Sequence, residues 1–267
     1  MRNPYLQFVV ILIGVVSLTL ANPQFTLAQN SANPPMEGFD LEGSDKSAIE
    51  IADRVMQELG GRKNWDNTRY VTWKFFGRRM HVWDKWTGDI RVEARDRVTL
   101  MNIHTMKGKV WEKGVEITNP DSLAKRLDQG LAAWINDSYW VFMPYKLKDS
   151  GVTLTYNGEG KTEDGRDAHM LQLTFKDVGK TPQNKYEVCV DKETYLVTQW
   201  SYFPKASDQE PRFTGVWKNW QKHGDIMISD DRGRNKHSDI AVFDKLPKSV
   251  FESSNPVDMM SFIKEGE

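Results

Sequence analysis

Two periodicities divide the chain. Between Ser44 and Gly61 apolar residues recur every three or four positions, so Ala48, Ile49, Ala52, Val55, Met56 and Leu59 share one side of a helix. Ser44 or Asp45 can cap its start, and Gly60-Gly61 ends it. From Arg69 the period drops to two. RYVTWKFFG places Val71, Trp73 and Phe75 on one face. RMHVWDKW follows across Gly77-Arg78, and DIRVEARD, across Thr87-Gly88, alternates Ile90, Val92 and Ala94 with Arg91, Glu93 and Arg95. RVTLMNIHTMKGKVWEKGVEI continues through a Lys107-Gly108 turn, so the stretch predicts a meander of antiparallel hairpins.

A second helical pattern interrupts the meander. Asn119-Pro120-Asp121-Ser122 is a start signal, and Leu123, Leu127, Leu131 and Trp134 run down one side. DSYWVFMPYKLKDSG then crowds Tyr139, Trp140, Phe142, Met143 and Tyr145 around Pro144, which stops regular helix. Alternating runs return in GVTLTYNGEG, DAHMLQLTF, KYEVCVD, YLVTQWSYF, RFTGVWKNWQKHGDIMISDD and SDIAVFD. Helix, strands, helix, then more strands predicts a mainly β (α+β) chain, a large curved antiparallel sheet with helices against one face.

The N-terminus follows neither pattern. Arg2 precedes the apolar run Phe8 to Ala21, and small-residue sites end at Ala21 and Ala28. The run is about 14 residues, short of the roughly 20 that a bilayer span needs. Residues 1–28 therefore read as a secretory signal peptide, cleaved after Ala28 or Ala21, with an uncleaved membrane anchor as the alternative. No cysteine lies near the junction for lipid attachment. Residues 29–43, rich in Asn, Pro, Gly and Ser, read as a flexible lead-in, and 44–267 as a single domain. The expected location is exported and periplasmic.

Composition narrows the function. With 267 residues, 39% hydrophobic and 11% aromatic, the chain can bury a full core. A net charge of -1 offers no polyanion-binding surface, so no nucleic acid is expected as a partner. Cys189 is the only cysteine, which excludes an internal disulfide; within KYEVCVD it reads as a buried strand residue.

Catalytic patterns do not emerge. The five histidines form neither HExxH nor a close pair, and His81 and Asp84 fall on opposite faces of a strand, so no metal is expected. There is no GxSxG. The GxGK of YNGEGKTEDGR lies between strands, without the helix N-terminus that a phosphate cradle uses. Glu163-Asp164 and Asp230-Asp231 sit in polar turns. The chain reads as a non-enzyme, with no catalytic residues and no cofactor.

What remains is aromatic. Ten tryptophans spread over most strands and the second helix suit a concave face lined by large side chains. A strongly curved sheet has more inner wall than one or two helices cover, and an incompletely filled apolar interior takes an acyl chain at roughly 0.8 kcal/mol per buried methylene. Trp73, Phe75, Trp134, Trp140, Phe142 and Tyr145 are the candidate cavity or rim residues. In this reading the Asp137–Gly151 stretch closes a helical lid onto the sheet, with Asp137 and Asp149 capping turns.

AAWINDSYWVFMPYKLKDSGVTLTYNGE, DAHMLQLTF, YEVCVDKETYLVTQWSYF and the terminal FDKLPKSVFE together resemble uncharacterised exported bacterial proteins of the outer-membrane lipoprotein-sorting (LolA/LolB-like) superfamily, over about residues 46 to 252. The resemblance implies an unclosed half-barrel wrapped over two or so helices, with a hydrophobic cavity that holds acyl chains in the carriers. Its relatives act as lipid carriers or envelope-stress sensors. It implies a lipid or lipid-modified protein as partner, the alternative being another envelope protein bound by a module with a packed interior. A hydrolase acting on a cell-envelope substrate is the third possibility. The true carrier has an arginine inside its cavity, and Arg69, Arg79 and Arg91 lie in the corresponding early strands.

Overall fold

The structure, a computed structural model, describes residues 32–176 and 180–264. The expected signal peptide lies outside the described residues. In chain order the elements are helix α1 (Lys46–Glu58), the short helix α2 (Arg62–Asn67), and strands β1 (Tyr70–Phe75), β2 (Arg79–Asp84), β3 (Asp89–Ala94), β4 (Arg97–Asn102), β5 (Gly108–Glu112) and β6 (Val115–Glu116). Helix α3 (Pro120–Phe142) runs into a 3₁₀ turn, Met143–Lys146. Then come β7 (Val152–Lys161), β8 (Asp167–Phe175), β9 (Lys185–Asp191), β10 (Val197–Phe203), β11 (Phe213–Val216), β12 (Lys218–His223), β13 (Ile226–Asp231), β14 (Ser238–Phe243), α4 (Ser249–Glu252) and α5 (Ser261–Lys264).

The architecture is mainly β and antiparallel, and its sheets are not closed into a barrel. The strands divide among a seven-stranded sheet, β14-β1-β2-β3-β4-β5-β6, a five-stranded sheet, β11-β10-β9-β8-β7, and the hairpin β12-β13. One hydrophobic core joins them: Val55 and Leu59 beside α1's end, Trp73 and Ile90 of the first sheet, Phe142 of α3, and Leu171, Val188 and Trp200 of the second sheet. Ala48, Ala52, Val55 and Met56 face inward from α1 as the period predicts, but the buried isoleucine is Ile51 and not Ile49.

Both faces of the first sheet are covered. Tyr70, Val71, Thr72 and Trp73 are all buried, although alternate residues of a strand point to opposite faces. The cover on the second face is the C-terminal segment: Val82 packs with Val250 and Met259, and Tyr70 stacks on Phe251 at 6.0 Å. Arg91, on the polar side of β3, is wholly buried there. Its guanidinium donates to the backbone carbonyls of Val250 (2.9 Å), Ser253 (2.7 Å) and Asn255, and to Glu93 (2.5 Å).

Residues 32–43, expected as part of a flexible lead-in, are tied down together with Ser44 and Asp45, whose side chains bond elsewhere instead of capping α1. Asp40 and Asp45 donate backbone N–H groups to the Val152 and Leu154 carbonyls on the free edge of β7. Asp45 also accepts the Tyr156 N–H on its carboxylate, 2.8 Å. Lys148, nearly buried, binds the Asn33 carbonyl and pairs with Asp53 of α1. The composition of the lead-in signalled a coil; the unpaired edge of β7 gives that coil backbone partners.

Candidate functional site

Helix α3 organises the site. The Asn119 side chain caps it by accepting the Ser122 N–H at 3.0 Å, and Pro120 stands in its first turn. One side lies close on the first sheet. A Cβ at Gly130 would come within 2.7 Å of the Thr99 methyl, so only glycine permits that approach. Further along, Asp137 is completely buried. It receives the Arg79 guanidinium through two bonds of 2.6 and 2.7 Å, and its Oδ2 lies 2.7 Å from His81 Nε2. The Trp73 ring stacks on His81 at 4.6 Å. Asp137 thus holds α3 to β2 rather than capping a turn.

The Asp137–His81 pair is structural. Neither side chain is exposed, and His81 Nδ1 has no hydrogen-bond partner among the described residues. Burial pushes the His81 pKa down, outweighing the carboxylate that raises it. Asp137 is held below the ordinary carboxylate range by its hydrogen bonds from His81 and Arg79, which outweigh the upward pull of burial. His237 lies nearby, buried, stacked on Phe76 at 4.7 Å, with neither ring nitrogen hydrogen-bonded and its pKa pushed down to about 3.

On the other side of α3 the packing opens. A groove of about 510 Å³ runs between the helix and one end of the second sheet. Its walls are Tyr139 and Trp140 of α3, Phe175 of β8, Tyr186 of β9, Trp200 and Tyr202 of β10, and Phe213 of β11. The register explains the alignment, since Tyr202 pairs with both Tyr186 and Phe213, and Trp200 and Tyr202 stand two apart on one strand. The rings are ordered: Tyr186 stacks on Trp200 (5.0 Å), Trp140 stacks on Phe213 (5.4 Å), and Trp140 meets Trp200 edge-on (4.8 Å). Gly215, opposite Trp200, leaves room for both indoles; a Cβ there would stand 3.0 Å from Trp200 Nε1. Burial raises the Tyr139 and Tyr186 pKa values, so both phenols stay neutral. Lys146 and Asp149, paired at 2.8 Å, border the groove with Lys180.

Of the six candidate residues, the structure brings Trp140 to the groove and the other five to packed surroundings. Trp73 and Phe142 are fully buried and meet edge-on at 5.2 Å. Phe75 is buried against Phe76 at 4.2 Å. Trp134 packs on Trp83 at 5.1 Å. Tyr145 stacks on Trp65 at 4.1 Å, its hydroxyl between the Leu59 and Met227 carbonyls at 2.9 and 2.7 Å. The Asp137–Gly151 stretch is thus mostly core, and it reaches the groove through Tyr139, Trp140, Lys146 and Asp149. Tyr186, Tyr202 and Phe213 escaped selection although TQWSYF displays an aromatic pair at spacing two. Only register reveals that the neighbouring strands add rings to the same face.

Of the three early arginines, Arg69 pairs with Asp84 at 2.9 Å, Arg79 with Asp137, and Arg91 holds the C-terminal segment. Cys189 is buried and its pKa raised by burial, so the thiol stays protonated.

No family model matches the sequence, and no curated protein matches it. Among solved structures the chain is similar to a DUF1329 family protein from Desulfovibrio piger (14% identity, 78% of this chain and 98% of that one, TM-score 0.42). It is also similar to a putative outer membrane lipoprotein-sorting protein domain from Vibrio parahaemolyticus (10%, 77% and 96%, TM-score 0.38). A third is a LolA superfamily protein from Nitrosomonas europaea (10%, 76% and 96%, TM-score 0.32). Identities this low bear on the fold alone, and TM-scores at this level carry no inference about what the chain binds. Among the described residues no helix is long and apolar enough to cross a membrane.

Proposed function

We propose that the chain is an exported lipid- or lipoprotein-binding protein, a carrier or sensor, that holds an acyl chain in the aromatic groove with Trp140 at its centre. One observation carries this reading: seven aromatic side chains from one helix and four strands converge on an open space of about 510 Å³. That volume falls within the roughly 300–1,000 Å³ of small-molecule sites, which are mostly apolar with few polar groups. Burying about ten methylenes contributes roughly 8 kcal/mol, enough for a Kd near one micromolar before ordering costs are subtracted. The N-terminal apolar run supports export, and no catalytic role is assigned.

A second reading is favoured by β11, the outermost strand of the second sheet, which lies beside the groove. An extended segment of another envelope protein could add to that edge and seat its side chains among the rings. Native mass spectrometry of protein purified from its own periplasm separates the two. Co-purifying lipid is the expected result; a clean apo mass with no uptake of a fluorescent fatty acid favours the protein partner and removes the carrier reading.

A further inference from the structure

A second cavity is larger than the aromatic groove. A basin of about 1280 Å³ lies at one end of strands β1 to β4, where the β1–β2 and β3–β4 turns meet residues 257–260 of the C-terminal segment. Its wall carries Lys74, Arg78, Arg79, Arg95 and Arg97. Arg79 is committed to Asp137, and Arg97 to Glu112 at 2.8 Å. Arg78 and Arg95 are not committed. Both are exposed, and neither side chain forms an ion pair or hydrogen bond among the described residues.

Both line the basin from turns. The β2–β3 ladder pairs Met80 with Glu93 and ends with Arg79 opposite Ala94; Arg78, in the β1–β2 turn, and Arg95, in the β3–β4 turn, are the residues just beyond its end. Arg95 moreover takes a left-handed φ of +56°, a conformation in which glycine would be unstrained. The acidic neighbours do not answer the pair. Glu93 is taken by Arg91 and the Val257 N–H, and Asp258 accepts the Met260 N–H. Asp239 lies 4.0 Å from Lys74, and Asp96 is exposed in the turn without a side-chain bond. Met80, Val257, Met259 and Met260 add an apolar part to the basin's lining.

We propose that this basin is a second binding site, one that takes the phosphate of an anionic phospholipid between Arg78 and Arg95 and lays the adjoining glycerol and acyl portion against the methionines. A guanidinium fork matches a phosphate's oxygens, and neither fork has a protein partner to give up when it takes one. The source is argued from size and lining: a free phosphate would leave most of the basin, and all its thioethers, unused. The site is separate from the aromatic groove, whose lining it does not share.

The test is co-sedimentation of the whole protein with vesicles of phosphatidylcholine alone or mixed in equal parts with phosphatidylglycerol, beside a thermal melt with and without inorganic phosphate. The expected result is binding to the anionic vesicles, weakened at high salt and reduced about tenfold or more in Arg78→Ala/Arg95→Ala. Arg78→Lys/Arg95→Lys should retain part of the binding. Without any anion the alanine variant should melt no lower than the wild type, because neither guanidinium has a partner to lose. Arg78→Ala/Arg95→Ala should still take up a fluorescent fatty acid as the wild type does, which keeps this result apart from the fate of the aromatic groove. Equal binding to both vesicle types, equal binding by the alanine variant, or a melting shift by free phosphate without vesicle binding would each overturn the assignment.

Discussion

Asp137 Oδ2 and His81 Nε2 lie 2.7 Å apart with both side chains completely buried, and the same carboxylate holds the Arg79 guanidinium. This contact sets the rotation of α3 and so decides which residues face the second sheet. Removing the acid leaves the partly exposed Arg79 guanidinium and the buried His81 Nε2 without their partner, a change that costs roughly 1–3 kcal/mol. Asp137→Ala is therefore expected to lower Tm by roughly 5 °C, with Asp137→Asn milder because its amide oxygen still accepts one bond. Differential scanning calorimetry checks this; an unchanged Tm would show that the pair does not anchor the helix.

Acid should loosen the same region. His237 and His81 both have folded-state pKa values below the ordinary 6.5, His237 near 3, each mainly through burial. Below pH 6.5 the unfolded chain takes up protons that the folded chain refuses, so stability falls as pH drops from there toward 3. Each such histidine contributes a slope of up to about 1.4 kcal/mol per pH unit. Arg232 beside His237 opposes its protonation further, while Asp137 favours it. His237→Phe, which keeps a ring against Phe76, should flatten the fall of Tm between pH 6 and pH 4, a range chosen to lie roughly between the two pKa values. An unaltered slope would place the titration elsewhere.

Arg91 adds a polar anchor to the apolar contacts of the C-terminal cover. Arg91 donates to three backbone carbonyls from the Val250 to Asn255 stretch, and a lysine ammonium on a flexible stem does not reproduce that fork. Arg91→Lys should raise hydrogen exchange and proteolysis after Lys248 before the first sheet itself opens. Protection equal to the wild type would refute this anchoring role.

Close packing of α3 gives a further expectation. Gly130→Ala puts a methyl within 2.7 Å of the Thr99 methyl and should cost about 1–3 kcal/mol, read as a lower urea midpoint at constant m. The double change Gly130→Ala/Thr99→Ser should recover part of the loss.

The alternation of apolar residues made most strands legible, and DAHMLQLTF and KYEVCVD are β8 and β9 as written, but the turn expected at Lys107-Gly108 falls at residues 103–105, and Gly108 opens β5 opposite Met101. The site was less legible, because an aromatic residue in a strand reads the same whether its face is sealed by a helix or left open. Trp73 and Trp200 sit in similar alternating runs, yet one lies under α3 against His81 and the other borders the groove. Residues whose roles rest on long-range contacts were also hidden. Arg91 in an alternating strand looks solvated, since nothing nearby announces that carbonyls some 160 positions later will cover it.

The acyl-chain reading is tested most directly by fluorescence titration of the purified protein with a bromine-labelled fatty acid, which quenches tryptophans it touches. Wild-type protein should show saturable quenching with a Kd near one micromolar, and Trp140→Asp should lose it while keeping its circular dichroism and cooperative melting. Absence of saturable quenching in the wild type, or equal quenching in a folded Trp140→Asp variant, would contradict the claim that the aromatic groove holds an acyl chain.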